Sequence, residues 1–361
     1  VNFPFIILIF LILGDIYRYP YKCFGIPIDI MITTKQVRKK IKILDDLITE
    51  YKSNSIEKKR NWRTYEEKLF FRTKKAILFF DDYIKNAINL LKTTKGNKLG
   101  RPEKLMLEQK VRILLVQRLI QKSNREMSFM LLLFSSLNNI NISYKTVERI
   151  YDDQRVFLVL HNIHELIISE KNIKKSNACG DGTGYVLSIK EHYASISKKL
   201  KNKKSTKKQK ILFSFTLMDI RSRIYLAFGT SYKSEKAAYN KSKEMLKKHN
   251  ISLESIRLDR YYSGQKIVKE FYEENKNVTC YLIPKKNATI KGSQAWKKML
   301  KNFLNNTFQY FTEYFKRNQS ESGFSEDKKR FGWKIPQKLK HRINTSYFGI
   351  FTWHNLFWID G

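Results

Sequence analysis

NACGDGTGYVLSI, Asn177 to Ile189, is the stretch that decides how the second half of this chain is read. Its glycines, at 180, 182 and 184, invite a loop that cradles phosphate. A dinucleotide-binding loop, however, needs a helix directly after its glycines, and here VLSI continues as strand; the Lys-Ser/Thr pair of a P-loop is missing too. The segment reads instead as a first strand with a bend, setting Asp181 between two glycines. Downstream, KILFSFTLMD (Lys210–Asp219) and RIYLAFGTSY (Arg223–Tyr232) are apolar runs joined by a tight polar turn, a hairpin by spacing. Lys233–Asn250 has helical texture. SIRLDRYYS (Ser255–Ser263) is a strand that stops at Asp259, Gly264–Asn275 a helix, Val278–Lys286 a further strand, and helical sequence follows through Lys328.

Strand, strand, strand, helix, strand, helix, strand, helix describes an α/β domain with a mixed sheet flanked by helices, of the ribonuclease H-like kind. In such a sheet the first and fourth strands are neighbours, and the last helix packs across them. Asp181, Asp259 and Glu321 are therefore expected to converge, although 78 and 62 residues separate them. Convergent carboxylates repel unless a cation sits between them. Mg²⁺ suits an all-oxygen set that leaves room for phosphate, and two such ions serve an in-line displacement at phosphorus. Asp219 lies in the hairpin turn, where Asp serves local hydrogen bonds. Glu326 and Asp327, beside Lys328, read as surface charges.

Lys and Arg outnumber Asp and Glu by 70 to 33 in 361 residues, a net charge of +37, while 42% of residues are hydrophobic. This is a globular chain with a strong positive field, suited to a polyanion: nucleic acid first, an acidic membrane surface second. Cys23, Cys179 and Cys280 form no CxxC pair, which argues against a zinc site or disulfide scaffold and fits a reducing cytoplasm. His161 and His164 could share a helix face, but with no third ligand nearby they read as ordinary residues. Phe3–Leu13 is apolar for only 11 residues, against the roughly 20 of a spanning helix. A mispredicted start, a buried element and a short anchor are its readings, and a membrane partner is not expected.

Residues 34–97 read as charged amphipathic helices. In the breaker-rich linker Thr93–Lys104, Gly100-Arg101-Pro102 resembles a minor-groove AT-hook, with Arg101 on DNA. Leu105–Lys122 is an amphipathic helix, Ser123–Glu126 a capping box opening a second, and Ser143 a cap for a third. This matches a helix-turn-helix unit, an all-α DNA-binding region over 98–170, with a plain three-helix bundle as the alternative. Tyr144, Lys145 and Arg149 would face DNA from its recognition helix. Lys198–Lys210 holds eight lysines and reads as a mobile basic loop.

YFKRNQSESGFSEDK (Tyr314–Lys328) carries Tyr314, Arg317, Glu321 and Lys328 in the spacing Tyr-x2-Arg-x3-Glu-x6-Lys. With GDGTGY around Asp181, LDRYYSG around Asp259 and PKKN at Pro284–Asn287, the chain resembles the DDE transposases of bacterial and archaeal insertion sequences, in the branch with that signature. The likeness spans about Gly100 to Trp333; residues 1–97 lie outside it. It implies that Glu321 is the third metal ligand and that Tyr314, Arg317 and Lys328 hold the phosphates of the transposon end. On one helix these four would fall at offsets 0, 3, 7 and 14, a single stripe. It further implies two Mg²⁺ (with Mn²⁺ able to substitute), double-stranded DNA as partner, hydrolysis followed by strand transfer, a homodimer on DNA, and a cytoplasmic, nucleoid-associated location. The 62 residues between Asp259 and Glu321 leave no room for the β-rich insertion of some relatives. The expected organisation is an apolar segment (1–33), a helical region (34–97), the helix-turn-helix (98–170), the catalytic domain (171–345) and an aromatic segment (346–361), read as an unfinished helix or interaction tail, with truncation one expectation. Rival readings are a catalytically silent DNA-binding protein and a ribonuclease H-like nuclease that cuts without joining.

Overall fold

The structure is a computed structural model and describes residues 32–54, 61–91, 103–135, 139–187 and 211–360. Phe3–Leu13, Arg101 and Lys198–Lys210 lie outside the described residues. The first part is helical: α1 (Thr34–Lys42), α2 (Leu44–Asn54), α3 (Trp62–Asn89), α4 (Leu107–Leu119), α5 (Asn124–Leu133), α6 (Tyr144–Ile150) and α7 (Gln154–Glu170). The capping box at α5 forms as the sequence signals: Glu126 N–H donates to Ser123 Oγ at 3.3 Å and Ser123 N–H to Glu126 Oε2 at 2.8 Å. Ser143 stands at the N-cap of α6, yet its side chain makes no capping bond. Among the described residues no helix is long and apolar enough to cross a membrane.

The second part alternates strands and helices: β1 (Lys175–Leu187), β2 (Ile211–Asp219), β3 (Tyr225–Ser231), α8 (Glu235–Lys248), β4 (Ser252–Arg257), α9 (Gln265–Glu274), β5 (Thr279–Tyr281), α10 (Gln294–Asn305), α11 (Thr307–Phe315), α12 (Asn318–Phe331), β6 (Lys334–Ile335) and α13 (Lys340–Trp358). The strands form one mixed sheet in the order β3-β2-β1-β4-β5, with β6 pairing the far end of β1. β1 is the central strand. It runs antiparallel to β2, with Asp181 opposite Thr216, and parallel to β4, with Cys179 beside Arg257. The bend expected in β1 is absent: β2 pairs with it continuously through Gly180–Gly184.

α13 is the element that ties the halves together. From Asn344 to Trp358 it carries no Lys, Arg, Asp or Glu, and a helix apolar all round belongs in a core. Its residues from Thr345 to Trp358 are buried, and it packs on α3, α4, α7 and β3. Trp353 donates from Nε1 to the Leu115 carbonyl at 2.8 Å and stacks on Phe80 at 5.6 Å. Gly349 lets α4 come close: a Cβ there would lie 3.0 Å from Leu114 and 3.2 Å from Arg118. The aromatic segment is thus core rather than tail, and its helix runs through the 345/346 boundary drawn from the sequence.

Candidate functional site

The carboxylates meet at the end of the sheet where β1 and β4 lie side by side. Cys179 is the last residue of β1 paired with β4, to Arg257, and Asp181 and Asp259 each follow two residues later; Arg317 feels the charge of Asp181, Asp259 and Glu321 alike. β4 ends at Arg257, two residues before the stop expected from sequence. Asp259 instead caps a short 3-10 turn, Arg260–Tyr262, accepting from the Tyr261 N–H at 3.5 Å. Glu321 approaches from α12, in the first turn of that helix.

Arg317 joins the acids. Its guanidinium lies 2.7 Å from Glu321 Oε1 and 3.8 Å from Asp181 Oδ1, and its own charge is reinforced by Tyr314, Glu321, Asp181 and Asp259 against the cost of burial. Tyr314 is buried beneath it. Burial raises the phenol's pKa, with Asp259 and Glu321 pushing the same way and Arg317 opposing. Lys328 donates to Thr183 Oγ1 at 2.5 Å, two residues along β1 from Asp181, and sits over the Trp333 ring at 4.5 Å. Desolvation lowers its pKa.

The single stripe expected of these four residues is split over two helices. α11 ends at Phe315, and the turn Lys316–Arg317 is tightened by three-residue bonds: Arg317 N–H to Tyr314 O at 3.0 Å and Ser320 N–H to Arg317 O at 2.9 Å. Ser320 adds its hydroxyl to the same Arg317 carbonyl at 2.7 Å, competing with the helical ladder. Both junction residues keep right-handed helical angles, so the four side chains still address one region. α11 is fixed separately, by Tyr310 Oη taking the Leu282 N–H at 2.7 Å and by the buried Arg257 paired to Glu313.

A fourth acid, not singled out in the sequence, borders the site. Glu235 opens α8 after the Ser234 cap, and its carboxylate fills the space where a Cβ on Gly182 would stand, 2.1 Å from Glu235 Cδ. Tyr262 Oη donates to it at 2.7 Å. Asp181 answers to this setting. Burial, helped by Glu321 and Glu235, pushes its carboxyl up to about 6 against the pull of Arg317 and the Gly182 N–H. The only sequence signal for Glu235 was a helix start after the third strand, which says nothing of a glycine across the sheet.

Other expectations part company with the structure. Asp327 is buried rather than a surface charge, held by Tyr225 Oη and His354 Nδ1, each at 2.8 Å. Glu326 is largely covered by Arg223 and Arg330. Asp219 serves its turn, accepting from Ser222 N–H at 2.7 Å and Ser176 Oγ at 2.6 Å. Tyr144, Lys145 and Arg149 stand together on α6 but apart from the acids. Tyr144 lies beneath Arg125 at 4.8 Å, and Lys145 pairs with Glu148 at 3.1 Å.

Oxygen-only carboxylates from a central strand, a loop and a helix, with a guanidinium among them, are chemically suited to a hard divalent cation and an anionic substrate. Comparison with known proteins adds a relative. The chain is 36% identical over 328 residues to the probable transposase for insertion sequence element ISA1214 of Archaeoglobus fulgidus, covering 90% of this chain and 96% of that protein. No protein-family model matches the chain.

Proposed function

The chain belongs to the insertion-sequence transposases, and from that premise we propose that it binds the ends of its element and cuts and joins DNA through Asp181, Asp259 and Glu321. The reading is that of a DDE enzyme on a ribonuclease H-like sheet, and the strand order β3-β2-β1-β4-β5 supports it. One observation carries it furthest: Arg317 spans Asp181 and Glu321, acids 140 residues apart in the chain. A cation is needed where these carboxylates meet, and the guanidinium fills that need in the absence of metal.

The donor set fits Mg²⁺. Burial and the neighbouring Glu321 and Glu235 push the Asp181 carboxyl up to about 6, a cost of ionisation that a bound cation would offset. Two Mg²⁺, or Mn²⁺ in their place, would activate an attacking oxygen and share the charge of the scissile phosphate. Asp181, Asp259 and Glu321 supply the anionic oxygens. Arg317, freed from the carboxylates, turns its fork to a phosphate, for which a planar guanidinium is matched. Lys328 is anchored on Thr183 of β1, and Tyr314 lies beneath Arg317. The helical region α4–α6 is the candidate helix-turn-helix, with Tyr144, Lys145 and Arg149 toward double-stranded DNA. Pairing two element ends calls for two copies of the chain.

The experiment uses purified protein, DNA carrying the element's ends, and Mg²⁺ or EDTA. Wild type should nick the end and form strand-transfer products only with metal, and Glu321→Gln should still bind but lose both. Binding without cleavage in the wild type would point to a silent DNA-binding protein. Cleavage without joined product would point to a nuclease.

A further inference from the structure

α7 and the end of α8 bring together three side chains able to ligate a metal. His161 and Glu165 are one turn apart on α7, and His249 caps the C-terminus of α8. One ligand atom from each lies within 4.8 Å of the other two. Sequence reading looked for a partner to His161 in its neighbour His164. That residue is turned inward instead, its Nε2 at 3.0 Å from the Leu226 carbonyl. The partner is His249, 88 residues on.

We propose that His161, Glu165 and His249 form a Zn²⁺ site that staples α7 to α8. The distances suit one ion. Glu165 Oε1 is 2.6 Å from His249 Nδ1 and 4.0 Å from His161 Nδ1. Tetrahedral zinc with bonds of about 2.0–2.1 Å sets its ligands ~3.3 Å apart, so the two separations straddle the required one and need shifts of only ~0.7 Å. The His249 side chain is fully buried, and its Nε2 has no partner, so its polar engagement is through Nδ1 at this corner. The ring is held in place edge-to-face on His164, 4.7 Å between centroids. His161 and Glu165 are each more than a third exposed, which leaves an entry path and room for a water as fourth ligand. A nitrogen-rich set of two imidazoles and one carboxylate suits zinc better than Mg²⁺.

The test keeps the two acid clusters apart. The full-length protein carrying Asp181→Asn and Glu321→Gln, stripped of metal, is titrated with Zn²⁺ against a chromophoric chelator, and in parallel with Co²⁺ followed by visible absorption. One equivalent of Zn²⁺ should bind, Co²⁺ should give a tetrahedral-type spectrum, and zinc should raise Tm. Adding His161→Ala or Glu165→Gln, half-exposed positions that should fold normally, should weaken binding by more than about 100-fold, beyond the 10–100-fold typical of losing an outer-shell partner, and abolish the zinc-dependent rise in Tm. No stoichiometric uptake, or uptake unchanged by both substitutions, overturns the proposal and leaves a plain His249–Glu165 ion pair.

Discussion

Asp181 shows at the residue scale how the proposed catalytic role and stability oppose each other. In the unfolded chain its carboxyl ionises near 3.8, and in the metal-free fold near 6. The fold therefore favours the protonated acid; that contribution is complete below about pH 4 and is lost as pH rises through 6. Two units correspond to an upper limit of about 3 kcal/mol. In EDTA, Asp181→Asn should accordingly be more stable than wild type at pH 7 to 8, with the gap closing toward pH 4 in urea unfolding. A gap independent of pH would mean that the acid is not held against its charge. Arg317→Ala removes the donor that spans Asp181 and Glu321, and loss of one such charge-stabilising donor costs roughly 10²–10³ in rate. Cleavage should fall by that much with end binding retained, and Arg317→Lys should recover only part, since it lacks the fork. The approach of Arg317 to Asp181 and Glu321 was expected from sequence, because strand order sets β1 beside β4 and a late helix was expected to cross them. Glu235 and Asp327 were not: what makes each notable is a partner more than 50 residues away, Gly182 for one and Tyr225 for the other.

Among the elements, the fit between β1 and α8 is set by a missing side chain. Gly182 has no Cβ, and the Glu235 carboxylate occupies that space while Tyr262 holds it in place. Gly182→Ala should force Glu235 aside and cost about 1–3 kcal/mol, the range for overpacking. Adding Glu235→Ala should return part of the loss, a coupling readable in a double-mutant cycle. An unchanged unfolding midpoint in Gly182→Ala would mean that the carboxylate moves freely. The strands and most helices could be read from periodicity and turn residues. The break at Lys316–Arg317 could not, since neither Gly nor Pro marks it and the cause is a buried hydroxyl, Ser320, returning to the Arg317 carbonyl.

For the whole molecule, the question is whether helical region and sheet behave as one body. A boundary drawn by composition separates them, yet α13 belongs to both, packing on α3, α4 and α7 from one side and β3 from the other. Its His354 and Asn355 reach into the sheet. Asn355 takes the Tyr225 N–H at 2.8 Å, and His354 stacks on the Tyr225 ring at 3.5 Å while pairing with Asp327 of α12. Asp327 is therefore the point at which three elements depend on one carboxylate. Leaving a buried polar group without its hydrogen-bond partner costs about 1–3 kcal/mol, and Asp327→Ala does so to both Tyr225 Oη and His354 Nδ1, so it should cut global stability by a few kcal/mol. Because the core is shared, unfolding followed by far-UV circular dichroism and by tryptophan fluorescence should give one coincident transition, before and after the substitution. Five tryptophans report, among them Trp62 on α3, Trp296 on α10 and Trp353 on α13. Two separated transitions, with only the sheet's displaced by Asp327→Ala, would show that α13 is an ornament of the sheet half. A single displaced transition means that the helical region and the acids are held in fixed register, as the proposed alignment of a bound end with the cutting site requires.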